Sequence, residues 1–182
     1  MEPRPKELER FTGIIRPFKE EDVPALKKIF EHWLQDDGVI AENEVEEDIE
    51  TLRSSQKAGS TTTMFVAQTP DGKVIGTMGV NLEPKEALLD PKFRKTDDPS
   101  ELIVAYVSPE YNRGHGVGTA LINRCQEVAK AAGKKEMLLE SGPRHRETGH
   151  GFYDNQPGFN RMGSIPNFYG PGLDTVVWQK TF

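Results

Sequence analysis

The chain is poor in several features, and each shortage removes a class of protein. A single cysteine, Cys125, stands among 182 residues, so no internal disulfide forms and a reducing, cytoplasmic location is expected. No apolar run approaches the roughly 20 residues of a spanning helix, so no membrane partner is expected. Met1 to Arg10 is charged and no apolar stretch follows it, which is not the pattern of a secretory leader. Basic residues are outnumbered, 23 against 29 acids for a formal net charge of -6, which argues against nucleic acid. Hydrophobic residues make up only 35%, beside 17 glycines and 13 prolines, so much of the chain belongs to loops or surface. His115, His145 and His150 have neither the spacing nor the neighbours of a metal site, and no metal is expected.

The length suits one domain with a real core, read as residues 13–182 after an N-terminal extension, 1–12. Patterning predicts a short strand, Thr12 to Pro17, and a helix from Lys19 to about Leu34, with acids in its first turn and Pro24 near its start. A second helix, Asn43 to about Gln56, carries a stripe of Val45, Ile49 and Leu52. Strands Thr63 to Gln68 and Val74 to Val80 flank Pro70-Asp71-Gly72, an antiparallel hairpin signal. Glu83 to Ser100, polar and interrupted by Pro84, Pro91 and Pro99, reads as a long loop, either an active-site cover or a disordered insertion. Leu102 to Val107, a helix to about Ala132 stopped by Gly133, and Glu136 to Glu140 form a strand, helix and strand unit with its strands parallel and its crossover right-handed. A short helix around His150 to Asn155, a strand near Phe159 to Ser164, an aromatic loop and a last strand, Thr175 to Lys180, complete an α/β fold of the α+β kind, with helices on both faces of a mixed sheet.

The junction between that middle strand and its helix, Ser108 to Thr119, carries the most chemistry. Gly114, Gly116 and Gly118 remove side chains, so that successive backbone N–H groups at the positive end of a helix can converge on a pyrophosphate. The helix buries a face of Val117, Leu121, Cys125 and Val128, and Cys125 reads as packing. A Rossmann turn fits poorly, because Thr119 occupies the place of the third glycine, although Glu140 lies at a plausible ribose-binding distance. No Gly-Lys-Ser/Thr follows, so the turn is not a P-loop.

Arg113-x-x-Gly116-x-Gly118 resembles the acyl-CoA-binding signature of the GNAT N-acyltransferase superfamily. Gly149 to Phe159, with Phe152-Tyr153 and Gly158-Phe159, is similar to the segment that closes the catalytic core in that superfamily, and Ile14-Ile15-Arg16-Pro17 is similar to its first strand. The resemblance covers about residues 13 to 180 and implies a mostly antiparallel sheet splayed between its fourth and fifth strands. It implies acetyl-CoA as cosubstrate, held by Arg113, Gly114, His115, Gly116, Val117, Gly118 and Thr119, with the pantetheine arm along Ala105, Tyr106 and Val107. It also implies Glu101 as general base, Tyr153 as general acid, and an acceptor pocket beside Trp33, Phe168 and Tyr169. Phe152-Tyr153 is one residue further from Gly158-Phe159 than usual, which puts the aim of the phenol at issue. Arg144, His145 and Arg146 form a basic loop, either solvated or reaching CoA phosphates. The expected reaction is acetyl transfer to a primary amine, of a small molecule or else of a peptide. A CoA-binding module without catalysis is the alternative of another class, and a homodimer is compatible with the chain.

Overall fold

The structure, a computed structural model, describes residues 10–182, so most of the expected N-terminal extension lies outside the described residues. Strand β1 is Ile14–Pro17 and helix α1 is Val23–Trp33. The helix expected from Lys19 divides, with a 3-10 turn over Glu20–Asp22 before α1. Buried Asp22 explains the break: it accepts Arg16 in a fork at 2.7 and 2.9 Å and the Lys19 N–H at 2.9 Å, which turns the chain before Pro24 can enter the helix. Two short strands that the patterning passed over follow, β2 (Gln35–Asp36) and β3 (Val39–Ile40). Their turn is Asp37-Gly38 with φ of +50° and +82°, the geometry that an Asp-Gly pair favours in a two-residue hairpin. Helix α2, Glu42–Ser54, buries Val45, Ile49 and Leu52, the stripe read from sequence.

Strands β4 (Thr62–Gln68) and β5 (Val74–Asn81) pair antiparallel as expected. Their alternation divides the core: Phe65 and Ala67 face one apolar cluster, Met64 and Val66 the other, which packs against α1 and α2. Strand β6 runs Pro99–Val107, beginning three residues before the expected Leu102. Its added residues pair in parallel with a later strand, and Pro99 occupies the first position, where a missing N–H is tolerated. Helix α3 (Val117–Ala131) stops at Gly133, φ +79°, as its sequence suggested. Then follow β7 (Glu136–Ser141), a wide π-type turn (Arg146–His150), the single-turn helix α4 (Gly151–Asp154), β8 (Asn160–Ile165) and β9 (Thr175–Thr181).

The order across the sheet is β1-β4-β5-β6-β7-β9-β8, and every pair is antiparallel except β6 with β7. One parallel pair leaves no doubly wound sheet, so a dinucleotide fold is excluded. The expected α/β class, with helices on both faces of a mostly antiparallel sheet, is the class observed. Among the described residues no helix is long and apolar enough to cross a membrane.

The long loop is neither disordered nor a simple cover. Leu88 and Phe93 are fully buried against Leu138 and Val177, and the Glu136 carboxylate accepts the N–H groups of Lys95 and Thr96 at 2.9 and 3.0 Å. Its later part therefore packs on the far end of the sheet while its beginning turns toward the cavity described next. A few apolar side chains in a polar stretch gave too weak a pattern to reveal this.

Candidate active site

Strands β6 and β7 pair only from Pro99–Glu136 to Glu101–Leu138 and then separate. In β6, Val104 has φ +47° and the register against β5 slips by one residue, so the strand bulges and bends away at that point. For a β-branched residue this backbone is strained. The gap opens into a cavity of about 1160 Å³ lined by Glu101 to Val107, Leu139 to His145, Tyr153, Phe168 and Tyr169 on one side and by α2 on the other. Sheet-edge carbonyl and N–H groups freed by the divergence can receive an extended, amide-bearing arm.

At one end the cavity reaches Asn112, Thr148 and Gly149; residues 113–119 lie beyond its lining. Gly114 and Gly116 have φ of +76° and +80°, and Gly116 begins α3 without a side-chain cap, so the first-turn N–H groups of α3 are not filled by a cap. The glycines have different reasons. Among the described residues a Cβ on Gly116 would meet nothing within 4 Å, and it is the left-handed backbone angle that favours glycine there. A Cβ on Gly118 would come within 2.9 Å of the Phe152 ring. Three contacts tie this turn to the segment carrying Tyr153: Gly118 on Phe152, Arg113 donating to the Glu147 carbonyl at 3.0 Å, and Gln156 donating to the Thr119 hydroxyl at 3.3 Å. The Phe11 N–H donates to the His115 carbonyl at 2.8 Å, which holds the turn from the other side. Replacement of Gly118 by Val is expected to destabilise the fold by about 1–2 kcal/mol through overpacking, and equilibrium urea unfolding is the check.

Tyr153 lines the cavity between Phe152 and Trp178, at ring distances of 5.2 and 5.4 Å, and burial first, then the charge of Glu140, raises its phenol well above the usual range. Its hydroxyl has no hydrogen-bond partner among the described residues. Glu101 is also on the cavity wall, but it is 2% exposed and both its oxygens are engaged: Lys85 Nζ lies 3.0 Å from one and the Lys85 N–H donates to the other at 2.9 Å. Lys85 also meets Glu140 at 3.0 Å. Burial lowers the Lys85 pKa, but the two carboxylates more than offset it and the ammonium is held charged. Glu140 in turn accepts the Tyr169 hydroxyl at 2.7 Å, and burial and that carboxylate raise the Tyr169 phenol.

Trp33 donates to the Val107 carbonyl at 2.8 Å, so it fastens the end of β6 as well as lining the cavity. Phe168 lies under the Lys85 ammonium at 5.7 Å, and Tyr169 covers Gly142, where a Cβ would meet its ring at 2.9 Å. Arg144 is neither solvated nor turned to a phosphate. It forms bidentate pairs with Asp36 (2.8 and 3.1 Å) and Glu44 (2.6 and 2.9 Å), and so clamps the loop after β7 to the β2–β3 hairpin and α2. His145 faces Tyr106 at 6.0 Å, and burial, then Arg144, lower its pKa.

Sequence reading missed α2 as part of this site. Glu44, Glu47 and Asp48 line the cavity, with Asp36, Glu83, Glu101 and Glu140 completing an acidic wall that Lys85 and Arg144 only partly neutralise. Asp48 lies beside Tyr106, and burial raises its carboxyl to about 7, with Glu44 and Glu47 pushing the same way and Tyr106 and Lys85 opposing. The available signal was the 44, 47, 48 spacing, which puts three acids on one helical face, but solvated acids give the same pattern.

Comparison with known proteins agrees with this geometry. A family model described as "Acetyltransferase (GNAT) family" matches residues 26–159. No curated protein matches the chain by sequence. Among solved structures, a protein assigned to the GNAT family from Desulfovibrio desulfuricans is similar at TM-score 0.70 with 17% identity, over 92% of this chain and 98% of that one. Ribosomal-protein-alanine N-acetyltransferase from Brucella melitensis is similar at TM-score 0.66 with 23% identity, over 93% and 99%. The yncA protein of Salmonella typhimurium, solved with its cofactor acetyl-CoA, is similar at TM-score 0.61 with 20% identity, over 93% and 94%.

Proposed function

Because the chain belongs to the GNAT acetyltransferase family, we propose that it transfers the acetyl group of acetyl-CoA to a primary amine of a small, cationic molecule by direct attack, without a covalent enzyme intermediate. The observation that carries this reading is the divergence of β6 from β7, which opens a cavity with an acidic wall that reaches Asn112, next in the chain to a glycine turn suited to a diphosphate. The residues fit the carrier on their own chemistry: left-handed glycines at 114 and 116, an uncapped start to α3, and a freed strand edge between 102 and 107. When bound, acetyl-CoA supplies an activated acyl group and a thiol leaving group.

In this reading the backbone of residues 113–119 binds the diphosphate, and Ala105, Tyr106 and Val107 hold the pantetheine arm through main-chain hydrogen bonds. Trp33 fixes the end of that strand through the Val107 carbonyl. The acidic wall attracts an ammonium, while the Arg144 clamp and the Lys85–Phe168 contact narrow the cavity toward a small acceptor. A primary ammonium has a pKa of ~10.4, so a protein carboxylate must take its proton before nitrogen can attack. Glu101 is placed for this by the resemblance, yet its engagement by Lys85 makes it the anchor of an ion-paired network in the first instance. Tyr153 protonates the departing sulfur.

The test is thiol release from acetyl-CoA with a panel of diamines, amino sugars and peptide N-termini. Acceptor-dependent release, strongest with small diamines or amino sugars, is expected. A protein that binds acetyl-CoA but releases thiol with no amine would overturn the catalytic reading, and release confined to peptides would overturn the small-molecule one.

A further inference from the structure

Resting on the acetyl-transfer reading, we infer that Asp48, on the cavity face of α2 beside Tyr106, is the general base that takes the ammonium proton. Glu101 has an ammonium on one oxygen and a backbone N–H on the other. Asp48 lines the same cavity and, among the described residues, enters no ion pair, whereas Glu101 and Glu140 are held by Lys85 and Glu44 by Arg144; beside it is Tyr106, which belongs to the strand expected to carry the pantetheine arm. The Tyr106 ring is itself wedged between Phe30 at 5.2 Å and His145 at 6.0 Å, which fixes its place beside the carboxylate.

The charged and titratable groups around Asp48 come from every element packed there: Glu44 and Glu47 on α2, Lys85 from the loop before β6, Tyr106 on β6, and Tyr169 from the loop before β9. His145 reaches the same region through Tyr106. Burial, aided by Glu44 and Glu47 and opposed by Tyr106 and Lys85, raises the Asp48 carboxyl to about 7, where a general base is half available and still strong enough to accept a proton. The remaining carboxylates serve attraction, because a cation entering the wall lowers the raised carboxyl pKa and favours the basic form.

Protons balance as follows. One N–H bond of the ammonium breaks and an O–H bond forms on Asp48, which returns that proton to solvent after turnover. The neutral nitrogen forms its bond to the acyl carbon as the carbon–sulfur bond breaks. Tyr153 gives its proton to sulfur and regains the second proton lost by nitrogen, so one amide, one thiol and one proton leave.

The experiment measures kcat/KM against pH for the wild type, Asp48→Asn, Asp48→Glu, Glu101→Gln and His145→Gln, with the best amine from the panel and saturating acetyl-CoA. Asp48→Asn is expected to lose about 10²–10³-fold at pH 7 together with the ascending limb near pH 7, and Asp48→Glu to keep that limb. A second readout does not need activity. The folded-state pKa of Asp48 is raised above its unfolded value, so the buried carboxylate weakens the fold progressively from about pH 4 to about 7 and fully above that. Asp48→Asn should therefore raise Tm at pH 8 much more than at pH 5, while Glu101→Gln, which strands Lys85, should lower it at both. An unchanged limb in Asp48→Asn, or its loss in Glu101→Gln or His145→Gln instead, overturns the assignment. A wild type without transfer to any amine overturns the acetyl-transfer reading and this base with it, whereas transfer at the wild-type rate in Asp48→Asn overturns the base alone.

Discussion

Tyr153→Phe is expected to lower kcat by about 10²-fold while leaving stability and acetyl-CoA binding close to those of the wild type. The substitution removes one oxygen from a ring packed between Phe152 and Trp178 and strands no protein partner, because the hydroxyl has none among the described residues. The loss belongs at the lower end of what general acids contribute. Burial raises the phenol's pKa, so it stays protonated throughout the assay range, but its transfer to a thiolate of pKa ~8.5 is uphill. Steady-state kinetics separates the effects: a fall in kcat with unchanged KM for acetyl-CoA marks an interaction made in the transition state. Equal turnover would remove Tyr153 from the chemistry and leave it a core aromatic.

Gly116→Val should raise the KM for acetyl-CoA by about tenfold or more and leave kcat at saturation nearly unchanged. At φ +80° a β-branched residue costs about 1–2 kcal/mol, and the chain can relieve that strain by rotating the N–H groups that begin α3. Among the described residues, chain neighbours aside, no atom lies within 4 Å of the added Cβ, so the expected effect comes mainly from the backbone angle. That makes the variant a cleaner probe of the turn than Gly118, whose substitution collides with Phe152. Unchanged affinity for acetyl-CoA would refute the assignment of this turn to the diphosphate.

How much of this was legible in the sequence depended on whether a function is written locally. The shape of the turn from Arg113 to Thr119 was legible, because glycines at left-handed positions and a strand feeding a helix are both short-range signals. So was the β4–β5 hairpin, and the hairpin at Asp37-Gly38 carried the same kind of signal, though it was passed over. The ends of α1 and β6 were harder. Asp22 breaks the first through a pairing with Arg16, and Pro99 begins the second through pairing with Glu136, and neither partner is adjacent in sequence. The site divides in the same way. Tyr153 and Glu101 were singled out by motif and both line the cavity, but the engagement of Glu101 by Lys85, the Arg144 clamp and the approach of Asp48 to Tyr106 all span long sequence separations. Lys85 and Asp48 lay in stretches read as a loop and a solvated helix face, since an acid on a surface and an acid on a cavity wall leave the same trace in sequence.

A crystal structure of the protein with acetyl-CoA tests the central claim most directly. The diphosphate is expected on the backbone N–H groups of residues 113–119, with the pantetheine arm lying between β6 and β7 beside Ala105 to Val107 and the thioester reaching toward Tyr153. Acetyl-CoA bound elsewhere on the molecule, with the gap between these two strands empty, would contradict it.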